Sequence, residues 1–449
     1  MANFIPKLFH NKLSTGVAST LGAIPHKFTA DKHFALEKYF TGELVYFYAF
    51  PAGEDSQFYN QVSPFEEELV SGRPLVAAGD GTKVLTFAAS SSSYVLDALS
   101  KGVEVLNEKN IIRLPEEISS DKTGSVRNEL IKKALVDLVD DDQLVMAQPF
   151  LDKSLEKKFK IHPLLSVGLN DKRNKHIYIP DEYLPQKYAI FSNGKEFYQY
   201  SKSYPFPCVV KVTSSSSGDG VVICKSTKEM KEVKNLFAKL KGNIIVEEFI
   251  ESIHNIGVQI GIPFNREMKP EIIGFNEQVI SNQGEFLGGI VNATKHISYF
   301  DDVKEALISE IFPRIRSYGW YGIGGIDVLI TKEGKFYFID PNFRMTAMST
   351  YIYLSKINKI TMPTISFSGK IACSRSTFEN TVLPLTKGND SPLKMISLTE
   401  HSNTFRFNAG IQFDSIDDLK KKVNKLRTMG VTSTVLTKIL ESSFDYKIN

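Results

Sequence analysis

The sequence predicts a mixed α/β fold with two or three domains. Short apolar runs without polar alternation, at residues 43–50, 74–81 and 83–89, are typical of buried parallel strands. A helix is expected around residues 94–99. Together, the apolar runs and this helix predict an open α/β unit near the N-terminus. From residue 205 to about residue 354, strand-like runs are broken by glycine turns. At about 150 residues per domain, 449 residues suit three domains, or two if one is large.

The predicted organisation has three parts along the chain. We expect an N-terminal α/β domain over residues 1–150, a central domain over 151–354 and a C-terminal part over 355–449. The basic stretch 153–175 is typical of a loop-rich linker or hinge. Four aspartates within 137–142 indicate an exposed turn, because acids so close in sequence with no return partner usually face solvent.

The composition excludes several classes of protein. Hydrophobic residues make up 42% of the chain, with 31 Phe and 18 Tyr, which excludes a disordered or collagen-like chain. The net charge of +3 disfavours a protein that binds nucleic acid by neutralising many phosphates. Three cysteines without a C-x-x-C pattern exclude a disulfide scaffold and a structural zinc site, and they fit a reducing compartment.

The sequence also bears on membranes and targeting. No apolar run approaches the roughly 18 residues that a membrane helix needs. The lysines among the first thirty residues faintly resemble a targeting segment. We therefore expect a cytoplasmic protein with no role at a membrane.

The first chemical motif is a strand–loop–strand at residues 206–224. Lys211 stands in an apolar strand, a run of small residues follows it, and a second strand begins at Val221. Because the small residues carry little side-chain bulk, their backbone N–H groups could approach an anionic ligand, with Lys211 as a neighbouring positive charge. The alternative is a flexible surface hairpin, but a lysine among buried valines needs a partner, and none stands nearby in this segment.

Two adjacent acids form the second motif. Glu247 and Glu248 lie inside an apolar run and would point to opposite faces of a strand, so one of them faces inward. An inward carboxylate needs a donor, which a lysine or an amine of a ligand would supply. The alternative is an edge strand with one buried salt bridge.

The third motif is a predicted hairpin with acids on both strands. Residues 321–330 and 335–344 read as two strands joined by a turn, so Asp327 and Asp340 can lie side by side. Asn342 stands two residues beyond Asp340 and points to the same face. Two carboxylates and an amide oxygen are hard ligands that suit Mg²⁺ held together with substrate phosphates. The alternative is a polar hairpin neutralised by Arg344 and Lys335.

In this order, the three motifs resemble the ATP-grasp superfamily. In that family a lysine strand and a small-residue loop cover the triphosphate, and a Glu-Glu-aromatic-aliphatic segment grips adenine. An acid, followed by an acid-x-Asn-x-Arg strand, binds two Mg²⁺ ions. The family's earlier lysine corresponds to Lys172, and the resemblance covers about residues 171–344. It implies an ATP-grasp fold preceded by an open α/β domain.

The resemblance also implies roles for individual residues. Arg344 and Lys211 would be catalytic, with Arg344 stabilising an acyl phosphate and its tetrahedral successor. The metal ligands would be Asp327, Asp340 and Asn342. The ATP-binding set would be Lys172, Lys211, Ser215, Ser216, Gly218, Gly220, Glu247, Glu248, Phe249, Ile250, His254 and Asn255.

Within that set, Glu247 would accept a hydrogen bond from the adenine amine, and the backbone at Phe249 or Ile250 would hold the ring. Three features depart from the family pattern. Gly325 stands two residues before Asp327, where the peptide-forming D-alanine ligases carry an arginine, so Arg344 would act alone. His254 and Asn255 stand where many members carry an acid for the ribose, and an aspartate replaces the usual glutamate as the second metal-binding acid.

The implied reaction is the ATP- and Mg²⁺-dependent joining of a small-molecule carboxylate to an amine through an acyl phosphate, with amino acids or peptides as substrates. Such an enzyme needs no nucleophilic side chain and no nucleic acid or membrane partner, and it allows a homodimer. Two alternatives stay open: a biotin-carboxylase-like enzyme and a non-catalytic ATP-binding module. The loop at residues 214–220 is serine-rich where the carboxylase branch is glycine-rich.

Overall fold

A computed structural model describes residues 36–50, 63–118, 124–213, 220–280, 286–292, 299–357, 360–388 and 391–441. Its strands are β1 (Leu44–Phe47), β2 (Thr82–Thr86), β3 (Ile111–Arg113), β4 (Leu144–Met146), β5 (Lys187–Phe191), β6 (Cys208–Val212), β7 (Val221–Cys224), β8 (Ile244–Glu248), β9 (His254–Ile262), β10 (Glu271–Ile280), β11 (Phe286–Val291), β12 (Gly322–Ile330), β13 (Phe336–Asn342), β14 (Thr364–Ala372), β15 (Leu393–His401) and β16 (Thr404–Gln412).

The α-helices are α1 (Pro64–Ser71), α2 (Ser93–Ser100), α3 (Gly124–Leu138), α4 (Pro163–Asn170), α5 (Gly194–Tyr200), α6 (Thr227–Phe237), α7 (Phe300–Ala306), α8 (Phe312–Ser317), α9 (Ser349–Ile357), α10 (Arg375–Thr381), α11 (Ile416–Thr428) and α12 (Thr434–Leu440). A π-helical turn, Leu307–Ile311, joins α7 to α8. Short 3₁₀ helices lie at Leu36–Tyr39, Arg73–Val76, Ala88–Ser90, Glu108–Asn110, Glu156–Lys158, Lys172–Ile177, Asp181–Tyr183 and Leu383–Thr386.

The N-terminal region folds around a parallel sheet with the order β3-β2-β1-β4. Val45 and Phe47 pack into a cluster on one face of β1, while Leu44 and Tyr46 pack into the main core on the other. Burial on both faces is the physical reason for the uninterrupted apolar run, and the predicted open α/β unit is confirmed here.

One strand predicted in this region was wrong. Within residues 74–81 the chain forms the 3₁₀ helix Arg73–Val76 and a turn instead. Pro74 lies in the first turn of that helix, where its fixed φ is suited and its missing N–H costs nothing. The same residue could not donate to the ladder of a central strand.

Two antiparallel sheets follow. The smaller one has the order β5-β8-β6-β7, and α5 and α6 contribute Phe197 and Phe237 to its core. The larger one has the order β13-β12-β9-β10-β11-β14-β16-β15, so strands from before and after residue 355 share one sheet. Tyr351 of α9 donates its hydroxyl to the Ala409 carbonyl at 3.1 Å, which ties this helix to the C-terminal strands.

The expected loop-rich linker at residues 153–175 was also wrong. This segment contains α4 and the start of the 3₁₀ helix Lys172–Ile177, and it packs closely on the larger sheet. The Phe343 N–H donates to Asn170 Oδ1 at 2.9 Å, and the Tyr321 hydroxyl donates to the Lys160 carbonyl at 2.9 Å. The basic residues therefore belong to the folded body of the protein.

Two smaller expectations concern exposed and membrane-spanning segments. The aspartates within 137–142 are all exposed, as expected, although Asp137 lies in the last turn of α3 and the loop begins after Leu138. In the part of the chain that the structure describes, no helix combines the length and the apolar character that crossing a membrane requires.

Candidate active site

A cavity of about 730 Å³ opens where the two antiparallel sheets meet the N-terminal region. Strands β6, β7 and β8 of the smaller sheet line one part of it, and strands β9, β10, β12 and β13 of the larger sheet line another. The lining includes the residues of all three sequence motifs: Lys172, Lys211, Glu247, Glu248, Phe249, Ile250, Asn255, Asp327, Asp340, Asn342 and Arg344.

A buried cluster of one acid and two lysines lies in the smaller sheet. Glu247 Oε2 is 2.5 Å from Lys211 Nζ, and Glu247 Oε1 is 2.7 Å from Lys175 Nζ. Burial alone would raise the pKa of Glu247, but the Lys211 and Lys175 ammonium groups outweigh it and hold the pKa at about 2. Burial, with the nearby Lys211 charge, lowers the pKa of Lys175 to about 7.

This cluster tests two expectations from the sequence. The prediction that one of the two adjacent acids faces inward is confirmed, since Glu247 is buried and Glu248 is half-buried. The expectation that Lys211 has no fixed carboxylate partner was wrong, because the partner comes from the neighbouring strand β8. Both Glu247 oxygens face lysines here, whereas the resemblance implied that this carboxylate faces an adenine amine.

Lys172 and Lys175 reach the cavity region from the same 3₁₀ helix. In such a helix residues three apart stand on one side, and both lysines are buried. The Asp171 side chain caps the helix by accepting from the Arg173 N–H at 3.0 Å, and the Lys172 N–H donates to the Thr213 carbonyl beyond β6. The turn therefore connects the smaller sheet to the acids of the larger one, where Lys172 Nζ lies 3.4 Å from Asp340 Oδ2.

The predicted hairpin of acids is confirmed. Strands β12 and β13 pair antiparallel with Asp327 opposite Asp340 and Gly325 opposite Asn342. The turn between them is closed by the Thr331 N–H donating to the Lys335 carbonyl at 2.8 Å. The register therefore follows from a short local turn, as the sequence predicted.

The electrostatics of this hairpin depend on its burial. Burial first, and then the charge of Asp340, raise the pKa of Asp327 to about 8. Lys172, Arg344 and a hydrogen bond from Gln278 Nε2 to Asp327 Oδ1, at 2.8 Å, act in the opposite direction. Two facing carboxylates in one cavity thus resist ionising together.

Asn342 and Arg344 lie beyond Asp340 at the end of β13 and also line the cavity. The Asn342 amide N–H donates to the Asp340 carbonyl at 3.0 Å, and its Oδ1 accepts from the Arg344 guanidinium. A Cβ at Gly325 would lie 2.5 Å from Thr346 Cγ2, so a side chain at this position on the facing strand would require Thr346 to move. Arg344 is therefore the arginine next to this hairpin that lines the cavity.

These donors fit a hard cation. The two carboxylates and the Asn342 amide oxygen are oxygen ligands of the kind that Mg²⁺ takes, and the cost of ionising Asp327 next to Asp340 would fall with a cation between them. Among the described residues, no group of three or more His, Cys, Asp or Glu surrounds one metal position. The remaining ligands would therefore be substrate phosphates and water, as is usual for Mg²⁺.

The segment expected to hold adenine lines the cavity after β8. The backbone of Glu248 pairs with Gln186, and its Oε2 accepts from the Gln186 N–H at 3.2 Å. Phe249 and Ile250 follow along the cavity wall. Their role in binding a nucleotide stays a prediction.

The remaining predicted ATP-binding residues differ in position. Asn255 lines the cavity, whereas His254 faces Glu277, with 3.5 Å between Nδ1 and Oε1, and is not part of the lining. Gly220 immediately precedes β7 and has a φ of +69°, a conformation that suits glycine. Ser215, Ser216 and Gly218 lie outside the described residues.

Sequence reasoning missed several residues that face this cavity or its charges. Lys175 carries a recognisable signal, since it lies three residues after Lys172, but Gln278 has no local signal at all. The N-terminal region adds Tyr48, Phe50, Glu66, Val70 and Arg73, which the sequence did not connect to the site.

Comparison with known proteins identifies the fold around this cavity. Residues 186–342 match a family described as L-aspartate–L-methionine ligase, ATP grasp. A solved N5-carboxyaminoimidazole ribonucleotide synthetase, an ADP complex, aligns with 92% of this chain and 100% of its own at a TM-score of 0.53 and 12% identity. Residues 186–342 thus match an ATP-grasp family, and the chain has the ATP-grasp fold. The fold class predicted from the sequence is therefore confirmed.

A second solved structure supports the same ATP-grasp fold. The L-amino acid ligase from Bacillus licheniformis aligns with 87% of this chain and 98% of its own, at a TM-score of 0.51 and 14% identity. At such identities the likeness concerns the fold.

Curated relatives of this chain match it only in part. A phosphoribosylamine–glycine ligase from Clostridium acetobutylicum is 25% identical over 182 residues, which is 37% of this chain and 43% of the relative. A D-alanine–D-alanine ligase from Geobacter sulfurreducens is 27% identical over 165 residues, which is 36% of this chain and 51% of the relative. The chain thus spans about half the length of these relatives.

Proposed function

We propose that this ATP-grasp protein is an ATP- and Mg²⁺-dependent ligase that joins a carboxylate to an amine through an acyl phosphate. The observation that carries the proposal is a single cavity that contains both a lysine group and an acid hairpin. Lys172 and Lys211 contribute the positive charge, while Asp327, Asp340 and Asn342 contribute oxygen ligands. Phosphate transfer from ATP needs both, because negative charge on the transferring group must be balanced on all sides.

Each group has a proposed task. Lys211 and Lys172 bind the nucleotide phosphates, and Phe249 and Ile250 hold the adenine ring. Asp327, Asp340 and Asn342 would hold the Mg²⁺, which when bound balances the charge of the phosphate oxygens. Glu247 keeps the lysine cluster in place in the absence of nucleotide, since the buried ammonium groups need a counter-charge.

The proposed reaction has two steps. A substrate carboxylate oxygen forms a bond to the γ-phosphorus of ATP while the bond from that phosphorus to the ADP oxygen breaks. The substrate amine then attacks the acyl carbon, phosphate leaves, and the amine loses a proton to solvent. Arg344, held by Asn342, is placed to face the negative oxygen that develops at the acyl carbon.

Amino-acid substrates are part of this proposal. The matching family is described by two amino acids, aspartate and methionine, and two relatives are named as ligases of amino acids. The division into domains at residues 1–150, 151–354 and 355–449 stays a proposal too, and so do a homodimer and a cytoplasmic location.

The test is release of ADP by the purified protein with ATP, Mg²⁺ and pairs of amino acids. We expect release that requires both a carboxylate and an amine, with an amide-linked product in the mass spectrum. Release that requires bicarbonate instead would favour a carboxylase-like enzyme, and binding of ATP without release under any pair would favour a non-catalytic module.

A further inference from the structure

One part of the cavity is not explained by nucleotide, metal or the acyl phosphate. Glu66 and Val70 lie four residues apart on α1, and Arg73 begins the 3₁₀ helix that follows; all three line the cavity. This wall contains a guanidinium group that the proposed two-step reaction does not use.

Arg73 is held in place by a buried amide. Its Nε donates to Asn408 Oδ1 at 2.9 Å, and Asn408 is almost fully buried in β16. The amide itself is oriented by two neighbouring strands, because the Ser397 hydroxyl donates to Asn408 Oδ1 at 2.9 Å and Asn408 Nδ2 donates to the Ser368 hydroxyl at 2.7 Å. The guanidinium is therefore pre-positioned with little side-chain freedom left to lose on binding a ligand.

No acid among the described residues forms an ion pair with Arg73. Within the described residues, its hydrogen bonds go to neutral oxygens, those of Asn408 and of the Tyr48 hydroxyl at 3.5 Å. The ring of Tyr48 lies beside it, with 5.6 Å between the guanidinium carbon and the ring centroid. A half-buried guanidinium with neutral partners is a strong site for a carboxylate, since charged hydrogen bonds are stronger than neutral ones.

Contacts connect Arg73 to the reacting end of the cavity. The Arg344 guanidinium carbon lies 5.4 Å from the Phe50 ring centroid, and the Phe50 and Tyr48 rings pack edge to face at 5.2 Å. Tyr48 in turn contacts Arg73. A substrate whose acyl group lies at Arg344 could thus extend along these two aromatic rings to Arg73.

We propose that Arg73 binds a free carboxylate of a substrate, one that is not phosphorylated during the reaction. The inference rests on the proposed ligase function, which assigns the reacting carboxylate to the side of Arg344. It requires that a substrate carries a second charged group: either the amine substrate is an amino acid that presents its α-carboxylate, or the carboxylate substrate is a dicarboxylic acid.

The test compares each free acid with an analogue in which one carboxylate is replaced by an uncharged amide group. Binding of L-methionine and L-methioninamide, and of L-aspartate and L-asparagine, is measured by calorimetry with the full chain in the presence of ADP and Mg²⁺. We expect at least one acid to bind the wild type about tenfold more tightly than its amide, the order expected for a charge-assisted hydrogen bond. The preference should fall below about twofold in Arg73→Gln and stay intermediate in Arg73→Lys, which keeps the charge but loses the planar fork.

Arg375→Gln is the matched control, because Arg375 pairs with Glu400 on the surface and does not line the cavity. It should keep the wild-type preference. An Arg73→Gln protein that still prefers the acid as the wild type does, or a wild type without preference in either pair, overturns the proposal. The pair that responds shows whether the carboxylate belongs to the amine substrate or to the acid.

Release of ADP, measured separately with ATP and Mg²⁺ and the same amino acids, distinguishes the two proposals. A wild type that prefers the acid through Arg73 but releases no ADP with any amino-acid pair would refute the ligase and keep the carboxylate subsite. A wild type that releases ADP without an Arg73-dependent preference would refute the carboxylate subsite and keep the ligase.

Discussion

Substituting Glu247 by glutamine tests the buried lysine cluster directly. The change keeps the shape of the side chain but removes the only charge that faces both Lys211 and Lys175 at ion-pair distance within the described residues. The side chains of Glu247, Lys211 and Lys175 are 2%, 8% and 5% exposed, respectively, so water can replace little of the lost interaction.

The magnitude follows from the pKa of the carboxyl group. The pKa of Glu247 is about 2 instead of the ordinary 4.5, which at 1.36 kcal/mol per pKa unit corresponds to about 3 kcal/mol in favour of the ionised form. Breaking a buried ion pair by removing one partner costs about 3–5 kcal/mol, which is the same order. We therefore expect Glu247→Gln to lower the local free energy of unfolding of strands β6 and β8 by about 3 kcal/mol at pH 7.

Amide hydrogen exchange of peptides from β6 and β8 is the assay, because it reports local opening in a protein of several domains. A loss of about 3 kcal/mol corresponds to exchange about 100-fold faster. Glu248→Gln is the matched control, since the neighbouring Glu248 is only half-buried and a change there should alter exchange less than about threefold.

The pH dependence gives a second check. The folded pKa of Glu247 lies below its unfolded value, so its contribution is fully present above pH 4.5 and is lost as the pH falls towards 2. After correction for intrinsic exchange rates, the difference between wild type and Glu247→Gln should shrink in that window. Exchange of Glu247→Gln within about fivefold of wild type at pH 7, or a difference that is equally large at pH 3, would refute the reasoning.

Three further predictions concern the same cavity. Lys211→Ala should weaken binding of ATP with Mg²⁺ by about 2–4 kcal/mol in a calorimetric titration, the cost of truncating one partner of a buried charge pair, and a wild-type dissociation constant would remove the lysine from the phosphate site. Asp340→Asn should abolish most ADP release while circular dichroism and thermal unfolding stay near those of the wild type, and release within about twofold of wild type would contradict its assignment as a metal ligand. Asp327→Asn should raise the free energy of unfolding of the ligand-free protein by about 1–2 kcal/mol at pH 7. The folded pKa of Asp327 is raised to about 8, so between pH 4 and 8 the unfolded chain loses this proton while the folded protein keeps it. The cost of the aspartate, and with it the gain from asparagine, should therefore grow with pH in a urea-unfolding series, and a gain that is constant or falls would contradict this.

The hairpin that carries Asp327, Asp340 and Asn342 could be predicted from the sequence because its geometry is local. A four-residue turn sets the register, and alternation along a strand sets the face, so the chain within about twenty residues contains all the information needed. The inward position of one of the adjacent acids in β8 follows from the same alternation.

Tertiary packing decided the partners of these residues. Glu247 meets Lys211 because β8 pairs with β6, and it meets Lys175 because the 3₁₀ helix Lys172–Ile177 packs against that sheet. Nothing in a local pattern specifies such contacts, so the sequence predicted a lysine without a carboxylate partner, and a linker where a packed helix lies.

Local sequence was therefore sufficient to predict the α/β class, the acid hairpin and the lysine strand, since each depends on short-range periodicity and turn chemistry. Only the tertiary structure brought Arg73 from the N-terminal region and Asn408 from β16 together beside the same cavity. These residues are more than three hundred positions apart and become neighbours because whole sheets pack together. The packing is driven by the total apolar area that many side chains bury, so no local sequence pattern at either residue predicts the contact.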